Sequence, residues 1–450
     1  MSTRSPSPRI AVFGHYGNQN LGDEAIIEAV LKNLRHHLPN AELSCFSINP
    51  LDSASRHGVD SFPIRYRADY FNPPPPQTPA QEDTAAPAAV NEVATPLAKS
   101  WKTRLKSFPL LGSLLRAGQN VIEFRHTLKQ EVVFLRAAST RLETVDLLMI
   151  TGSNQFLDNF GGPWGFPYTL LKWTWLAKRS GAKVAFVSIG AGPLTHTLSY
   201  WMLRRALIKA DYISFRDEGS QRLIRAKVGI DGPIYPDLAH SLVKNNSRPT
   251  PAPPTDKFRV AVNPMPVFDS RYWHHPDDDR YRNYVLKLAR LCDNIVRGGA
   301  NLTLFSTQLR DEAVIDDVIE AMESSDGAPM TPEIARSRSV SELIDTLNNA
   351  DCVVATRFHA TVLPLQLGIP VLGICYYRKA VELLSDVGLG DFYVNIDDFE
   401  VETLLNKYFA MLEQLKAGSF KLSEKHSIYL QALDEQYRTI IALTHEGSSQ

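Results

Sequence analysis

An arginine and a histidine two positions apart, Arg357 and His359, stand in a polar turn between an apolar run and a stretch of helical pattern. A guanidinium offers a rigid fork for carboxylate or phosphate, and an imidazole exchanges protons near neutrality. Together they suit a small, doubly charged acid that must be both held and protonated. Thr356 adjoins them, and Lys379 follows the next apolar run together with Tyr376 and Tyr377. The plainer alternative is a surface pair and a solvated lysine at a helix start. Arg216 directly follows another apolar run, where a salt bridge to Asp217 or Glu218 would also account for it. His196 in Pro193-Leu-Thr-His-Thr197 and Asp237 after Pro236 fit a ligand site or an ordinary turn equally well.

A second polar constellation opens the chain. Gly14-His-Tyr-Gly-Asn-Gln-Asn-Leu-Gly-Asp-Glu24 follows the first apolar run and pairs three glycines with Asn18, Asn20, Asp23 and Glu24. Carboxylates repel phosphate, whereas amides and carboxylates suit sugar hydroxyls, so an acceptor belongs nearer this half. Asp23 and Glu24 would also simply complement a helix dipole. Gly152-Ser-Asn-Gln-Phe156 is a similar turn and brings Asn154 to a strand end. The glycine spacing of the first loop does not fit a dinucleotide fingerprint. The chain shows no nucleophile triad motif, no Walker lysine loop and no metal-ligand spacing of histidines or cysteines.

The elements that must position these residues alternate. Strands are predicted over Arg9–Gly14, Glu42–Ile48, Asp146–Thr151, Lys183–Ile189 and Tyr212–Phe215, with helices over Ala25–Leu38, Leu170–Arg179 and Leu198–Ala210 between them. A fresh series begins at Phe258, with a strand to Val262, a helix over Tyr281–Arg297, a strand over Leu302–Ser306 and helices over Asp311–Met322 and Ser341–Asn348. Cys352–Ala355 is then a strand, Ala360–Leu367 a helix ended by Gly368 and Pro370, Val371–Cys375 a strand and Ala380–Val387 a helix. Strand, polar turn and helix in repetition predict an α/β protein of two Rossmann-like, doubly wound domains facing each other across a cleft. Residues 1–8 are expected to be disordered, 9–244 to form the first domain, 245–256 a linker, 257–396 the second domain, and 397–450 closing helices that cross back to the first half. A Pro/Ala/Thr-rich insertion at about 72–100 lacks the apolar surface to order itself. The stretch Trp101–Leu142 regains helical pattern with many basic residues, Arg136 among them, as a solvated face or as one that docks on an acidic membrane surface.

With 48 basic against 49 acidic residues in 450, bulk charge gives no warrant for nucleic acid. The four cysteines are scattered, mostly in apolar runs, which suits free thiols in a reducing compartment. The polar start and the lack of any sufficiently long apolar stretch predict a cytoplasmic protein, able to work at the inner face of a membrane on a lipid-linked substrate.

Two resemblances follow from these residues. A strand, polar turn, helix and Leu367-Gly-Ile-Pro-Val371 resemble the donor half of glycosyltransferase-B type enzymes, but the helix lacks the glutamate those enzymes use to hold a ribose. Gly17-Asn-Gln-Asn-Leu-Gly-Asp-Glu-Ala25, Ser214-Phe-Arg-Asp-Glu-Gly-Ser220 and Thr356-Arg-Phe-His-Ala360 with Gly368-Ile-Pro370, in that order, resemble the polysaccharide pyruvyl transferase family. Phe358, Ala360 and Gly152-Ser-Asn depart from the family's pattern. The resemblance implies an enzyme that moves the pyruvyl group of phosphoenolpyruvate onto two hydroxyls of one sugar, with no cofactor beyond that co-substrate and no metal. It implies His359 as the acid or as a group assisting phosphate departure, with Asp23 or Glu24 taking a proton from the attacking hydroxyl. Arg357, Arg216, Lys379, Thr356 and His196 would bind the donor, and Asn18, Asn20 and Asn154 the acceptor. The alternatives are a sugar-nucleotide-dependent glycosyltransferase of the same architecture and a non-catalytic glycan-binding protein.

Overall fold

The computed structural model describes residues 7–71, 127–243, 257–273, 275–322, 332–376, 378–418, 420, 422 and 425–445. The linker expected at 245–256, the insertion at 72–100 and the part of the basic stretch at 101–126 lie outside them.

Two all-parallel sheets carry the fold. The first has seven strands: β1 (Arg9–Phe13), β2 (Glu42–Ser47), β3 (Asp60–Pro63), β4 (Leu147–Thr151), β5 (Asn154–Phe156), β6 (Lys183–Ala191) and β7 (Tyr212–Phe215). Their order is β3-β2-β1-β4-β6-β5, with β7 also on β6. The second has six, β8 (Arg259–Asn263), β9 (Asn301–Phe305), β10 (Glu333–Ala335), β11 (Cys352–Ala355), β12 (Val371–Cys375) and β13 (Tyr393–Asn395), in the order β10-β9-β8-β11-β12-β13. The apolar runs are buried on both faces, as parallel strands covered by helices must be.

Both sheets begin alike. Arg9 donates from its backbone and guanidinium to Asp146, the residue ahead of β4, and Arg259 does the same to Asp351 ahead of β11. The strand after each aspartate lies beside the lobe's first strand, β4 with Ile10↔Leu147 and β11 with Val260↔Cys352. The turns after β4 and β11 therefore occupy matching places, at the carboxyl ends of inner strands where open α/β sheets hold ligands.

Helices α1 (Leu21–His37), α2 (Pro50–His57), α3 (Phe166–Arg179), α4 (Thr197–Leu207) and α5 (Glu218–Val228) belong to the first lobe. Helices α6 (Asp278–Arg297), α7 (Asp311–Ala321), α8 (Val340–Asn348), α9 (Phe358–Gln366) and α10 (Arg378–Asp386) belong to the second, followed by α11 (Val401–Lys416) and α12 (Lys425–His445). Helix α1 starts four residues before its expected start, because Asn20 caps it by accepting from Gly22 N–H. Helix α9 likewise starts at Phe358 with Arg357 as its N-cap residue, so His359 stands in a first helical turn rather than in a loop.

Phe13, Phe46, Phe62 and Trp173 interlock in the first lobe, and Trp173 donates to the Ile64 carbonyl at 2.9 Å. Truncating a buried aromatic of this kind costs about 3–5 kcal/mol. Along α1 the lobes bond directly: Leu21 N–H donates to Thr307 O at 2.9 Å, and Gln366 Nε2 donates to Ala239 O at 2.7 Å. Helix α12 returns to the first sheet, where buried Gln436 donates to Ser214 and accepts from Ser188. All four cysteines are buried and free.

Residues Arg65–Glu143 form a separate unit, whose described parts are a short helix, Ala68–Phe71, and a helix over residues 127–142. Phe71 and Phe134 meet edge to face within it. Among the described residues no helix is long and apolar enough to cross a membrane.

Candidate active site

Strand β7 delivers Arg216 to its carboxyl end, and the guanidinium is 4% exposed. Its Nη1 donates to Asp237 at 3.1 Å, its Nη2 donates to Asn154 Oδ1, and Asp217 is a looser partner at 3.6 Å. Gly190 makes this possible, since a Cβ there would collide with both the guanidinium and the Asn154 amide. The expected neighbour pairing with Asp217 is thus secondary, and the main partner lies 21 residues on.

Asp237 is the buried hub. It caps a short turn by accepting from Ala239 N–H at 3.0 Å, and His359 Nε2 lies 3.8 Å from its other oxygen. Burial alone would raise its carboxyl, but His359, the Arg216 charge and the Ala239 N–H together hold it well below the usual carboxylate range. Among the described residues the buried His359 Nε2 has no hydrogen-bond partner, and the Asp237 carboxylate 3.8 Å away is the charge it faces. The other edge of the ring lies against the bare Cα of Gly22, in the first turn of α1, so the imidazole is held by both lobes.

Phe358 forms the floor. Arg216 lies 5.4 Å and Lys379 Nζ 4.4 Å from its ring centroid, both as cation–π contacts. Lys379 follows β12, and burial together with the Arg216 charge lowers its ammonium to about 7. A cavity of about 570 Å³ opens over these residues, bounded also by Glu218, Pro236, Leu383 and Tyr429 of α12.

Asp23 and Glu24, expected in the loop before the helix, stand in the first turn of α1 and part company. Successive helical positions point about 100° apart, and the structure separates them accordingly. Asp23 stays at the site: burial raises its carboxyl against the pull of His15 and His359, and it accepts from Asn20 Nδ2 at 2.6 Å. Glu24 turns inward, where it is fully buried, accepts from Gly17 N–H at 2.8 Å and meets His57 Nε2 at 2.8 Å. The expectation of Glu24 as a base is corrected on this ground, because both its oxygens are used in shaping the first loop.

Arg357 and Thr356 also differ from expectation. Arg357 makes a forked pair with buried Asp311 through Nε and Nη2, with Nε–Oδ1 at 2.8 Å, which leaves Nη1 outside the pairing. Asp311 in turn accepts from the N–H groups of Thr307 and Gln308, so Arg357 braces the loop that bonds to α1. Thr356 is buried and its hydroxyl donates to the Asn263 carbonyl at 2.8 Å, an anchor for the turn rather than a donor ligand. Of the residues expected to bind an acceptor, Asn18 pairs with His15, Asn20 caps α1 and Asn154 holds Arg216. His196 is exposed at the start of α4, its backbone N–H donating to Asp158 at 2.9 Å.

Sequence reasoning missed Asp311 and Asn263, which place the second-lobe turn. A carboxylate at the head of a helix and an amide at a strand end carry no mark that distinguishes them from ordinary caps.

No curated protein matches the chain in sequence. Among solved structures, the UDP-GlcNAc 2-epimerase of Methanocaldococcus jannaschii superposes with a TM-score of 0.54 at 10% identity, covering 97% of this chain and 99% of that one. The UDP-GlcNAc 2-epimerase of Neisseria meningitidis bound to UDP-GlcNAc gives 0.52 at 10% identity, covering 97% and 99%. At such identities the likeness is one of fold, the two-lobed glycosyltransferase-B architecture. The family model described as polysaccharide pyruvyl transferase matches residues 20–377, a span that takes in most of both sheets and Gly22, Asp23, Arg216, Asp237, Phe358 and His359. The chain therefore belongs to the polysaccharide pyruvyl transferase family.

Proposed function

We propose that this protein transfers the pyruvyl group of phosphoenolpyruvate onto two hydroxyls of one sugar, in a polysaccharide or its lipid-linked precursor, to form a cyclic ketal and release phosphate. The observation that carries this reading is the convergence of Arg216, Lys379 and His359 around Phe358, with Asp237 buried behind them. A guanidinium, an ammonium and an imidazole able to give a proton match a carboxylate and a phosphate on a three-carbon skeleton.

In this mechanism Arg216 and Lys379 hold the donor's carboxylate and phosphate. His359, its imidazolium stabilised by Asp237, delivers a proton from Nε2 to the methylene carbon, and the adjacent carbon becomes electrophilic. The first sugar hydroxyl adds there and its proton passes to Asp23, whose raised affinity for a proton suits a base. The carbon–oxygen bond to phosphate then breaks, and the second hydroxyl closes the ring. Two hydroxyl protons are lost in all: one replaces the proton that His359 gave to carbon, and one leaves with phosphate. Arg357 and Thr356 serve by fixing the turn that presents His359, with Arg357 Nη1 available to the donor.

The test is incubation with phosphoenolpyruvate and a panel of β-galactosides and N-acetylhexosamines, following phosphate and the mass of the acceptor. Acceptor-dependent phosphate release with ketal formation is expected. Release of a nucleoside diphosphate from sugar nucleotides instead would overturn the reading in favour of glycosyl transfer.

A further inference from the structure

The outer face of the first lobe carries an unusual set of side chains. Helix α3 presents to solvent Tyr168, Leu171, Trp175, Lys178 and Arg179, spaced at helical intervals and led by exposed Trp164 just before it. Helix α4 presents Leu198, Trp201, Arg204 and Arg205, and Ile208 follows it. Trp164, Trp175 and Trp201 are 67%, 49% and 50% exposed. An exposed helix stripe is ordinarily polar, so three exposed tryptophans on adjacent elements call for a partner.

The two stripes belong to one surface. Helix α3 leads from β5 to β6 and α4 from β6 to β7, and the two helices pack directly against each other. Neither helix contains an aspartate or glutamate, whereas their solvent side carries Lys178, Arg179, Arg204 and Arg205. Arg179 lies 5.5 Å over the Trp175 ring and Arg205 5.5 Å over the Trp201 ring, so each cation stands beside an amphipathic aromatic. Lys178 shares its charge with Asp211; the arginines supply the outward charge.

We propose that this face docks on a bilayer containing anionic phospholipid, with the indoles at headgroup level and the arginines on phosphates. Tryptophan favours the membrane interface, basic side chains extend from it to the headgroups, and two helices without an acidic residue are complementary to a negative leaflet. A face made to cover a second copy of this near-neutral chain would have no reason to exclude acidic residues. Docking is independent of the donor chemistry, and it would bring a lipid-linked acceptor close to the enzyme.

The test is co-sedimentation of the full chain with vesicles of phosphatidylcholine alone or with about a third phosphatidylglycerol. Compared are the wild type, the combined variant W164S/W175S/W201S and the combined variant R179E/R205E, each checked for an unchanged melting profile. The wild type is expected to bind the anionic vesicles and to release with salt, and each variant to bind at least about tenfold more weakly. The proposal is overturned if the wild type binds neither vesicle or if both folded variants bind as it does. It is also overturned if the wild type is a dimer that the tryptophan variant splits, since a second copy would then cover the face.

Discussion

His359 rests on Gly22: the Nδ1 edge of an imidazole from one lobe lies against the only kind of residue in the first turn of the other lobe's helix that leaves room for it. The contact couples the acid of the proposed reaction to the half of the molecule assigned to the acceptor. In the proposed reaction, closing or opening the lobes would therefore move the proton donor.

Gly22→Ala follows directly. Alanine in a helix is favoured over glycine by about 0.5–1 kcal/mol, so absent His359 this change would stabilise α1. Here the methyl would displace the imidazole, and turnover should fall by at least about tenfold, as small misplacements of reacting groups do. Turnover and the melting temperature of the variant check this; unchanged turnover would show that the ring is free to shift.

Asp237→Asn should cost about 3–5 kcal/mol, because it leaves the Arg216 charge buried without its partner. The pH dependence has a definite sign. The Asp237 carboxyl is held below its unfolded value, so its stabilisation is complete above about pH 4 and is lost as pH falls through the lower, folded value. Urea denaturation of wild type and variant at pH 7, 4 and 2.5 should show the gap narrowing only at the lowest pH.

Lys379, with its ammonium lowered to about 7, loses its charge just above neutrality. Donor KM should therefore rise as pH goes from 7 to 9, by up to about tenfold per unit, and Lys379→Arg should flatten that rise. A profile that Lys379→Arg leaves unchanged would remove the lysine from donor binding.

Arg357→Lys cannot reproduce a forked pair with Asp311. It should lower stability by about 2–3 kcal/mol, and raise donor KM less than Arg216→Lys does. Chemical denaturation and donor KM for both variants decide the matter, and the reverse ranking would restore Arg357 as the main anion grip.

The apolar runs marked most inner strands closely, because a strand buried on both faces needs uninterrupted small and branched side chains. The short edge strands β3, β10 and β13 escaped notice, being three or four residues long with little pattern. His359 was legible because the turn after a buried strand is a ligand position. Its setting was not: Asp237 lies more than a hundred residues away, and nothing local distinguishes a hub carboxylate from a turn former. The division between Asp23 and Glu24 was legible in principle, since neighbours on a helix cannot both face one cleft.

The most direct test of the central claim is phosphate release by His359→Ala with phosphoenolpyruvate and a responsive acceptor, read beside donor affinity by calorimetry. The account predicts that turnover is abolished while the variant keeps its fold and binds phosphoenolpyruvate within severalfold of wild type. Near-normal turnover in that variant would contradict it.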